Sequence, residues 1–565
     1  MDGIQEPSWV DKKLSTFEML ATHPIQAIKE ITRLDKFQTV PMATLRGVPT
    51  SQSANSLKLR LSGLFFAATA VYYLVWLQGI LNKAALWLSI PYFIATVYMT
   101  LLILITIFNN WQRTIPILRK HPLRDEPQVA IMIPTYGEPI EMVQTTMESV
   151  LSQEWPQDKM LLIIGDDSHR PEMKKMIQTM KQHFPLPKLI YFEPPRKGNP
   201  ARKGSAKDGN LNAMLDYVST EFPEIEFIET RDADDVVGTP HFLRYVMGHF
   251  QQHPEVSYIQ TIKDTLVSTG DPFGNRQTFF YRGVMFARNA TNSVFPCGSG
   301  LLWRKEQLHK IGGFPTWNLV EDLYSGYVAM RNGLKGTYLP IVGAVGQVSP
   351  EDIPNVYKQL GTWALDTLRI FFWQNPWVTR GLSFRQRMQF TELGFFYLLS
   401  LPLLLFIITP IIDLVTGIHP FISDNLAYVM HFWPYALATE ILLAFIGDST
   451  TFEEIWRARQ IWFGMIFVFI KAGWLALWYG PNKKPAYKVT RKTQQAGLYF
   501  RETATQIGLF VLLLAAIIFN LVTHPDIKGA DLGSIFWAIF YMFLLTGIIS
   551  KSWFGVSFKR KALKD

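Results

Sequence analysis

Cysteine is almost absent from this 565-residue chain, where Cys297 stands alone. A single thiol excludes an intrachain disulfide and leaves no partner for a cysteine-based zinc site. Charge is scarce as well: Asp, Glu, Lys and Arg make up 18% of the residues, below the roughly 25% of ordinary soluble domains. The opening MDGIQEPSWVDKK lacks a basic start followed by an apolar run, so a signal peptide is not expected. The G-x-x-x-x-G-K-[ST] pattern is missing too, which excludes a P-loop.

Apolar and aromatic residues fill the gap. Hydrophobic residues reach 48% and aromatics 14%, with 17 Trp and 40 Phe, a profile of membrane spans joined to a globular part. Lys and Arg exceed Asp and Glu by 55 to 46, giving +9. The basic residues cluster beside apolar segments, which fits anionic lipid headgroups and argues against nucleic acid.

Seven stretches are long enough to cross the hydrocarbon: 61–81, 84–108, 390–412, 426–446, 461–480, 505–522 and 534–550. The amino-terminal arm carries eight Lys and Arg between Lys12 and Arg60, which predicts a cytoplasmic start. If 461–480 also spanned, the basic NKKPAYKVTRK (482–492) and the tail FKRKALKD would face outward. Lys471 in the middle of that segment is a second objection, costing about 3 kcal/mol at a span centre. The expectation is therefore six spans, with 456–480 lying in the interface and RGLSFRQRMQF forming another interfacial helix. The expected organisation is a cytoplasmic arm (1–60), two spans (61–110), a soluble domain (111–380), an interfacial helix and two spans (381–450), an interfacial helix and basic loop (451–503), two spans (504–552) and a basic cytoplasmic tail (553–565).

Within the soluble part, QVAIMIPTY, MLLIIGDDS, KLIYFE, IEFIETRDADD and VSYIQT read as strands, alternating with helical IEMVQTTMESVLSQ and GNLNAMLDYVSTEF. Such alternation predicts a mostly parallel α/β sheet with ligands at the carboxyl ends of its strands. Two of those ends carry acids: Asp166–Asp167, and Asp232, Asp234 and Asp235 in RDADD. A solvated charge run would have no reason to follow strand ends twice. Between them, RKGNPARKGSAKDGNLN offers Arg196, Lys197, Arg202, Lys203 and Lys207 among glycines, either a flexible loop or an anion site. Glu321–Asp322 opens a helix, where an acid also serves as a cap or dipole partner. Gln359 and Trp363 share a helical face one turn apart.

Eight motifs in order resemble the cellulose synthase branch of the family 2 glycosyltransferases, from about residue 125 to 500. PTYGEP (134–139), DDS (166–168), AKDGNLN (206–212), DAD (232–234), PCGSG (296–300), VED (320–322), QLGTW (359–363) and YKVTRK (487–492) are similar to that branch's motifs. Four positions depart from the pattern: Gly137 for Asn, Val320 for Thr, Tyr487 for Phe, and Thr362 for the arginine of Q-x-x-R-W. Lys358 lies one turn before Thr362, on its face, and either restores the missing charge or simply faces lipid headgroups.

The resemblance implies an α/β GT-A glycosyltransferase domain with a mostly parallel sheet, inserted between α-helical transmembrane segments. It implies a metal-dependent inverting hexosyltransferase in the plasma (inner) membrane, with its catalytic domain cytoplasmic. Its donor is a UDP-sugar, UDP-glucose first, and its acceptor a growing β-linked polysaccharide secreted through its own spans. Asp322 is then the general base. Tyr136, Glu138, Asp166, Asp167, Lys207 and Asp232 meet the donor, while Asp234 and Asp235 hold Mg²⁺ or Mn²⁺. Cys297, Glu321, Gln359 and Trp363 face the acceptor. Tyr487, Val489, Thr490 and Lys492 form a gating loop. Membrane lipids surround the spans, and accessory export subunits or a second copy are further partners. Thr362 leaves two other readings open: a single-transfer enzyme acting on a lipid, or a silent channel or scaffold subunit.

Overall fold

The computed structural model describes residues 54–122, 125–267, 271–447, 450–485, 495, 497–525 and 529–552. Its centre is an eight-stranded sheet in the order β3-β2-β1-β4-β7-β6-β8-β5. The strands are β1 (Val129–Thr135), β2 (Met160–Asp166), β3 (Lys188–Phe192), β4 (Phe227–Thr230), β5 (Asp235–Val237), β6 (Val256–Thr265), β7 (Leu301–Arg304) and β8 (Lys335–Gly346). Every residue of β1 and β2 is buried, because helices cover both faces of the sheet. Ala130 and Met132 face one apolar core, while Val129, Ile131 and Ile133 face the other.

The strand directions position the site. β1, β2, β3 and β4 pair in parallel. β7 runs against both β4 and β6, so β6 and its parallel neighbour β8 point the same way as β4. The carboxyl ends of β1, β2, β4, β6 and β8 therefore share one edge. The sheet is mostly parallel but mixed: β7 runs against both of its neighbours, and β5 against β8.

Two strands lie outside the sequence reading. β7 is four residues long, and Pro340 interrupts the β8 run, which argues against a strand on local grounds. In the structure the β6–β8 register is irregular there, stepping from Leu339 to Val342. The run IEFIETRDADD, read as one strand, divides into β4 and β5 with the acidic turn between them.

Among the described residues, six helices are long and apolar enough to cross a membrane: Leu57–Gly79, Lys83–Asn110, Phe384–Thr416, Asn425–Gly447, Ala504–Thr523 and Asp531–Ile549. RGLSFRQRMQF, expected to be an interfacial helix, runs into the helix Phe384–Leu398. Ser383 and Gln386 form a capping box that starts the helix Phe384–Leu398, which leads into Ser400–Thr416 within the same 33-residue candidate span. Helices Phe452–Gly464 and Ile466–Tyr479 are bent by 57° at their junction, and would make a seventh span only if taken as one. Both ends of this pair touch the sheet domain. Thr278 Oγ1 donates to Glu454 Oε1 at 3.0 Å, and Trp317 Nε1 donates to the Pro481 carbonyl at 2.7 Å.

Candidate active site

The shared carboxyl edge opens into a cavity of about 290 Å³. β1 contributes Tyr136 and Glu138 just beyond its end, and Asp167 follows β2. The acidic turn after β4 adds Asp232, Asp234 and Asp235, and Lys207 enters from the first turn of the helix Lys207–Glu221. Cys297, Glu321 and Asp322 line the opposite wall, with Gln359 and Trp363 from the helix Ile353–Trp373. Twelve of the thirteen site residues read from sequence inside the described region thus meet around one space.

Asp166 does not. It is fully buried, accepts from the Ser168 and Arg170 backbone N–H groups, and pairs with the Arg170 guanidinium at 3.3 Å. Its carboxylate holds the turn after β2 and faces away from the cavity. Tyr487, Val489, Thr490 and Lys492 lie outside the described residues.

The basic loop divides likewise. Arg202 forms a bidentate pair with Asp167 at 2.6 and 2.9 Å, and Lys203 pairs with Asp216 away from the cavity. Lys197, over the Tyr136 ring at 4.4 Å, and Lys207 are the loop's cavity-lining cations. Lys358 is not among the lining residues, whereas Thr362 is. Among the described residues, the cations lining the cavity are Lys197, Lys207 and Lys263.

Lys263 is the residue the sequence reading missed. It stands near the polar end of β6, two residues beyond the VSYIQT run read as a strand, and no motif marks it. Its ammonium lies 2.8 Å from Asp232 and 2.7 Å from Asp235. Lys207 takes the other Asp232 oxygen at 2.6 Å and reaches Glu321 at 3.2 Å. Burial opposes ionisation of Asp232, but Lys207 and Lys263 more than reverse it and hold the acid well below the usual carboxylate range. Burial also opposes charge on both lysines, and their carboxylate partners raise both well above the usual range. These groups remain ionised at neutral pH.

Asp322 differs. Burial, then the adjacent Glu321 carboxylate, push it up to about 7, against the pull of Lys207. That is the range in which a carboxyl group exchanges protons near neutral pH. Gly298 makes room beside it: with φ at +89°, a Cβ there would stand 3.1 Å from Asp322 Oδ2 and 3.6 Å from Asp232 Oδ2. Only glycine fits that backbone comfortably, so the PCGSG loop closes over the acids without crowding them. Gly137, at φ +105°, lies in a positive-φ region that glycine enters without steric cost and that residues with a side chain rarely adopt.

The loop before Asp322 is held from the helix Ile353–Trp373. The buried Asp366 carboxylate accepts from the backbone N–H groups of Leu319 and Val320. Arg369, also buried, pairs with Asp366 at 3.3 Å, donates to the Lys483 carbonyl at 3.1 Å and lies over the Trp317 ring. Lys484 reaches Asp208 at 2.8 Å.

Among the described residues no group of three or more His, Cys, Asp or Glu side chains could hold a metal alone. Mg²⁺ and Mn²⁺ are commonly held by one or two carboxylates plus substrate phosphates. Asp234 and Asp235 at the cavity wall fit that shared donor set.

Residues 127–365 match the family model described as glycosyltransferase like family 2, and residues 310–480 that described as cellulose synthase. The cellulose synthase catalytic subunit (UDP-forming) of Pseudomonas fluorescens (strain SBW25) is 28% identical over 382 residues, 64% of this chain and 48% of that protein. The cellulose synthase 1 catalytic subunit (UDP-forming) of Komagataeibacter xylinus is 25% identical over 509 residues, 84% of this chain and 62% of its own length. The chain thus spans about half of the first and less than two thirds of the second. Among solved structures, the mannosyltransferase PcManGT from Pyrobaculum calidifontis in complex with GDP-Man and Mn²⁺ is similar. It is 16% identical with a TM-score of 0.48, over 69% of this chain and 99% of that one.

Proposed function

We propose that residues 127–480, which match in turn the glycosyltransferase like family 2 and cellulose synthase models, form a cellulose synthase-like glycosyltransferase, and that the chain polymerises a UDP-sugar, UDP-glucose first, into a β-linked glycan and secretes it through its own spans. The observation that carries this reading is the Asp322 carboxyl, tuned to about 7, in one cavity with the acidic turn, two lysines and Trp363.

In the proposed reaction the acceptor hydroxyl oxygen attacks the anomeric carbon from the face opposite the diphosphate. The bond from that carbon to the phosphate oxygen breaks, and UDP departs with the electron pair. The hydroxyl proton passes to the Asp322 carboxylate. Direct displacement on an α-linked donor inverts the centre and yields a β-glycoside. Lys207, in ion pairs with Asp232 and Glu321, offers positive charge beside the leaving diphosphate. Held by Asp234 and Asp235 with the phosphates, Mg²⁺ or Mn²⁺ would stabilise the charge developing on that group. Tyr136, Glu138 and Asp167 are assigned to the uridine side, and Asp232 to the donor. Trp363 is assigned to stacking on the acceptor sugar, with Cys297, Glu321 and Gln359 beside it. The unpartnered faces of apolar rings suit the C–H face of a pyranose.

The chain is a multi-pass membrane protein, with six apolar helices of spanning length among its described residues. The basic arm at 1–60 supports a cytoplasmic catalytic domain in the plasma (inner) membrane. The gating role is assigned to Tyr487, Val489, Thr490 and Lys492, just beyond the 481–484 segment docked on the sheet domain. Purified protein incubated with single UDP-sugars tests the reading. UDP-glucose is expected to give a polymer that β-glucan hydrolases digest, with UDP released. A single sugar left on lipid would replace polymerisation with lipid glycosylation, and absence of UDP release from every donor would replace it with a silent subunit.

A further inference from the structure

Lys263 sits where the acidic turn would meet a cation. Its Nζ is 2.8 Å from Asp232 Oδ2 and 2.7 Å from Asp235 Oδ2. The second Asp232 oxygen is already on Lys207 at 2.6 Å. Both Asp232 oxygens and one Asp235 oxygen therefore carry an ammonium supplied by the chain itself. The Asp235 side chain is 1% exposed and that of Lys263 25%, so water screens this contact poorly at the acid and better at the ammonium. Three acids of the turn, Asp232, Asp234 and Asp235, line a cavity that also holds the Lys207 and Lys263 ammonium groups, and among the described residues no group of three or more His, Cys, Asp or Glu could hold a metal ion by itself.

We propose that Lys263 is a resident counter-cation that makes divalent-metal binding at Asp234–Asp235 conditional on the nucleoside diphosphate. A divalent ion entering alone must displace the ammonium from Asp235 or share the carboxylate with a like charge at close range. Neither alternative is favourable while Lys263 holds the Asp235 carboxylate at 2.7 Å. A nucleoside diphosphate changes the balance by adding negative charge and phosphate oxygens. The ion then completes its shell from the phosphates, and the lysine gains phosphate oxygens as new acceptors. Metal and donor consequently bind as a unit. The proposal rests on assigning Asp234 and Asp235 to the metal and on a diphosphate donor.

The test is Mn²⁺ binding, read by electron paramagnetic resonance on the purified full chain with and without UDP. In the unaltered protein UDP is expected to tighten Mn²⁺ by roughly 5–150-fold, the usual span of coupling between two ligands. Lys263→Met should tighten Mn²⁺ in the absence of UDP and shrink that ratio, while Lys263→Arg, which keeps the charge, should preserve it. Thermal unfolding of Lys263→Met confirms that a folded protein is being titrated, and Lys263→Arg carries the comparison if it is not. Equal Mn²⁺ affinity with and without UDP in the unaltered protein overturns the proposal, as does a Lys263→Met variant whose coupling is unchanged. An Asp234→Ala variant that binds Mn²⁺ normally with UDP shows instead that the metal assignment has failed, and the proposal with it.

Discussion

At the scale of single residues, chemistry turns on how Asp322 differs from the acids around it. Asp232 is neutralised by two ammonium groups, whereas Asp322 adjoins Glu321 and is pushed up to about 7 by burial and that neighbour. Asp322→Asn removes the proton acceptor but keeps the shape, so transfer should fall by about 10²–10⁴-fold, the usual worth of a general base. UDP binding measured on the same variant should be unchanged; loss of UDP binding with transfer intact would make the residue a helix cap. The sign of the pH dependence follows from the raised value. The working form is the deprotonated carboxylate, so activity is present above about 7 and lost as pH falls through it. Glu321→Gln deletes the neighbouring negative charge, which lowers the Asp322 value and should move the acid limb of kcat/KM to lower pH. A limb that stays in place, with activity retained, would argue that another group sets it.

At the scale of elements, the helix Ile353–Trp373 does two things at once. Gln359, Thr362 and Trp363 line the cavity, and two turns on, Asp366 and Arg369 grip the loop that presents Asp322. Asp366 accepts from two consecutive backbone N–H groups, which fixes the loop's direction at the point where the helix Glu321–Arg331 begins. Asp366→Ala leaves those donors and the buried Arg369 unpaired, a class of change that costs about 3–5 kcal/mol. Asp366→Asn keeps an acceptor oxygen and is the sharper test. Its kcat should fall while the KM for the UDP-sugar changes little, because the donor side of the cavity is untouched. A fall in donor affinity with kcat unchanged would place its effect elsewhere.

At the scale of the whole molecule, the question is which side of the membrane each segment occupies. The bent pair Phe452–Gly464 and Ile466–Tyr479 begins and ends against the sheet domain, through Glu454 and through Pro481 and Lys484. A segment whose two ends touch one domain returns to the side it left, so we propose that the pair is a re-entrant or interfacial element. Lys471 is exposed on its outer face, where its ammonium can reach the headgroups. A single cysteine at Asn482, in a Cys297→Ser background, should react with an impermeant thiol reagent only after the membrane is permeabilised. Reaction in intact cells would make the pair a seventh span.

The chain's local chemistry is enough to announce the apolar helices, the strands β1 to β4 and β6, and the acids that follow them, because periodicity, turn residues and charge are written in short windows. Twelve of the cavity residues were legible for the same reason: each sits in a motif of a few residues beside a strand end or a helix start. Tertiary structure alone decided the rest. β8 carries a proline within its run and becomes a strand because β6 pairs with it despite the irregular register. Asp166 and Asp167 are adjacent and chemically alike, and the turn sends one into the protein toward Arg170 while the other reaches the cavity wall. Lys263 stands 28 residues beyond Asp235, in a strand that mixes polar and apolar residues. Its partnership with the acidic turn exists only because β4, β7 and β6 lie side by side, a long-range pairing that no local pattern encodes.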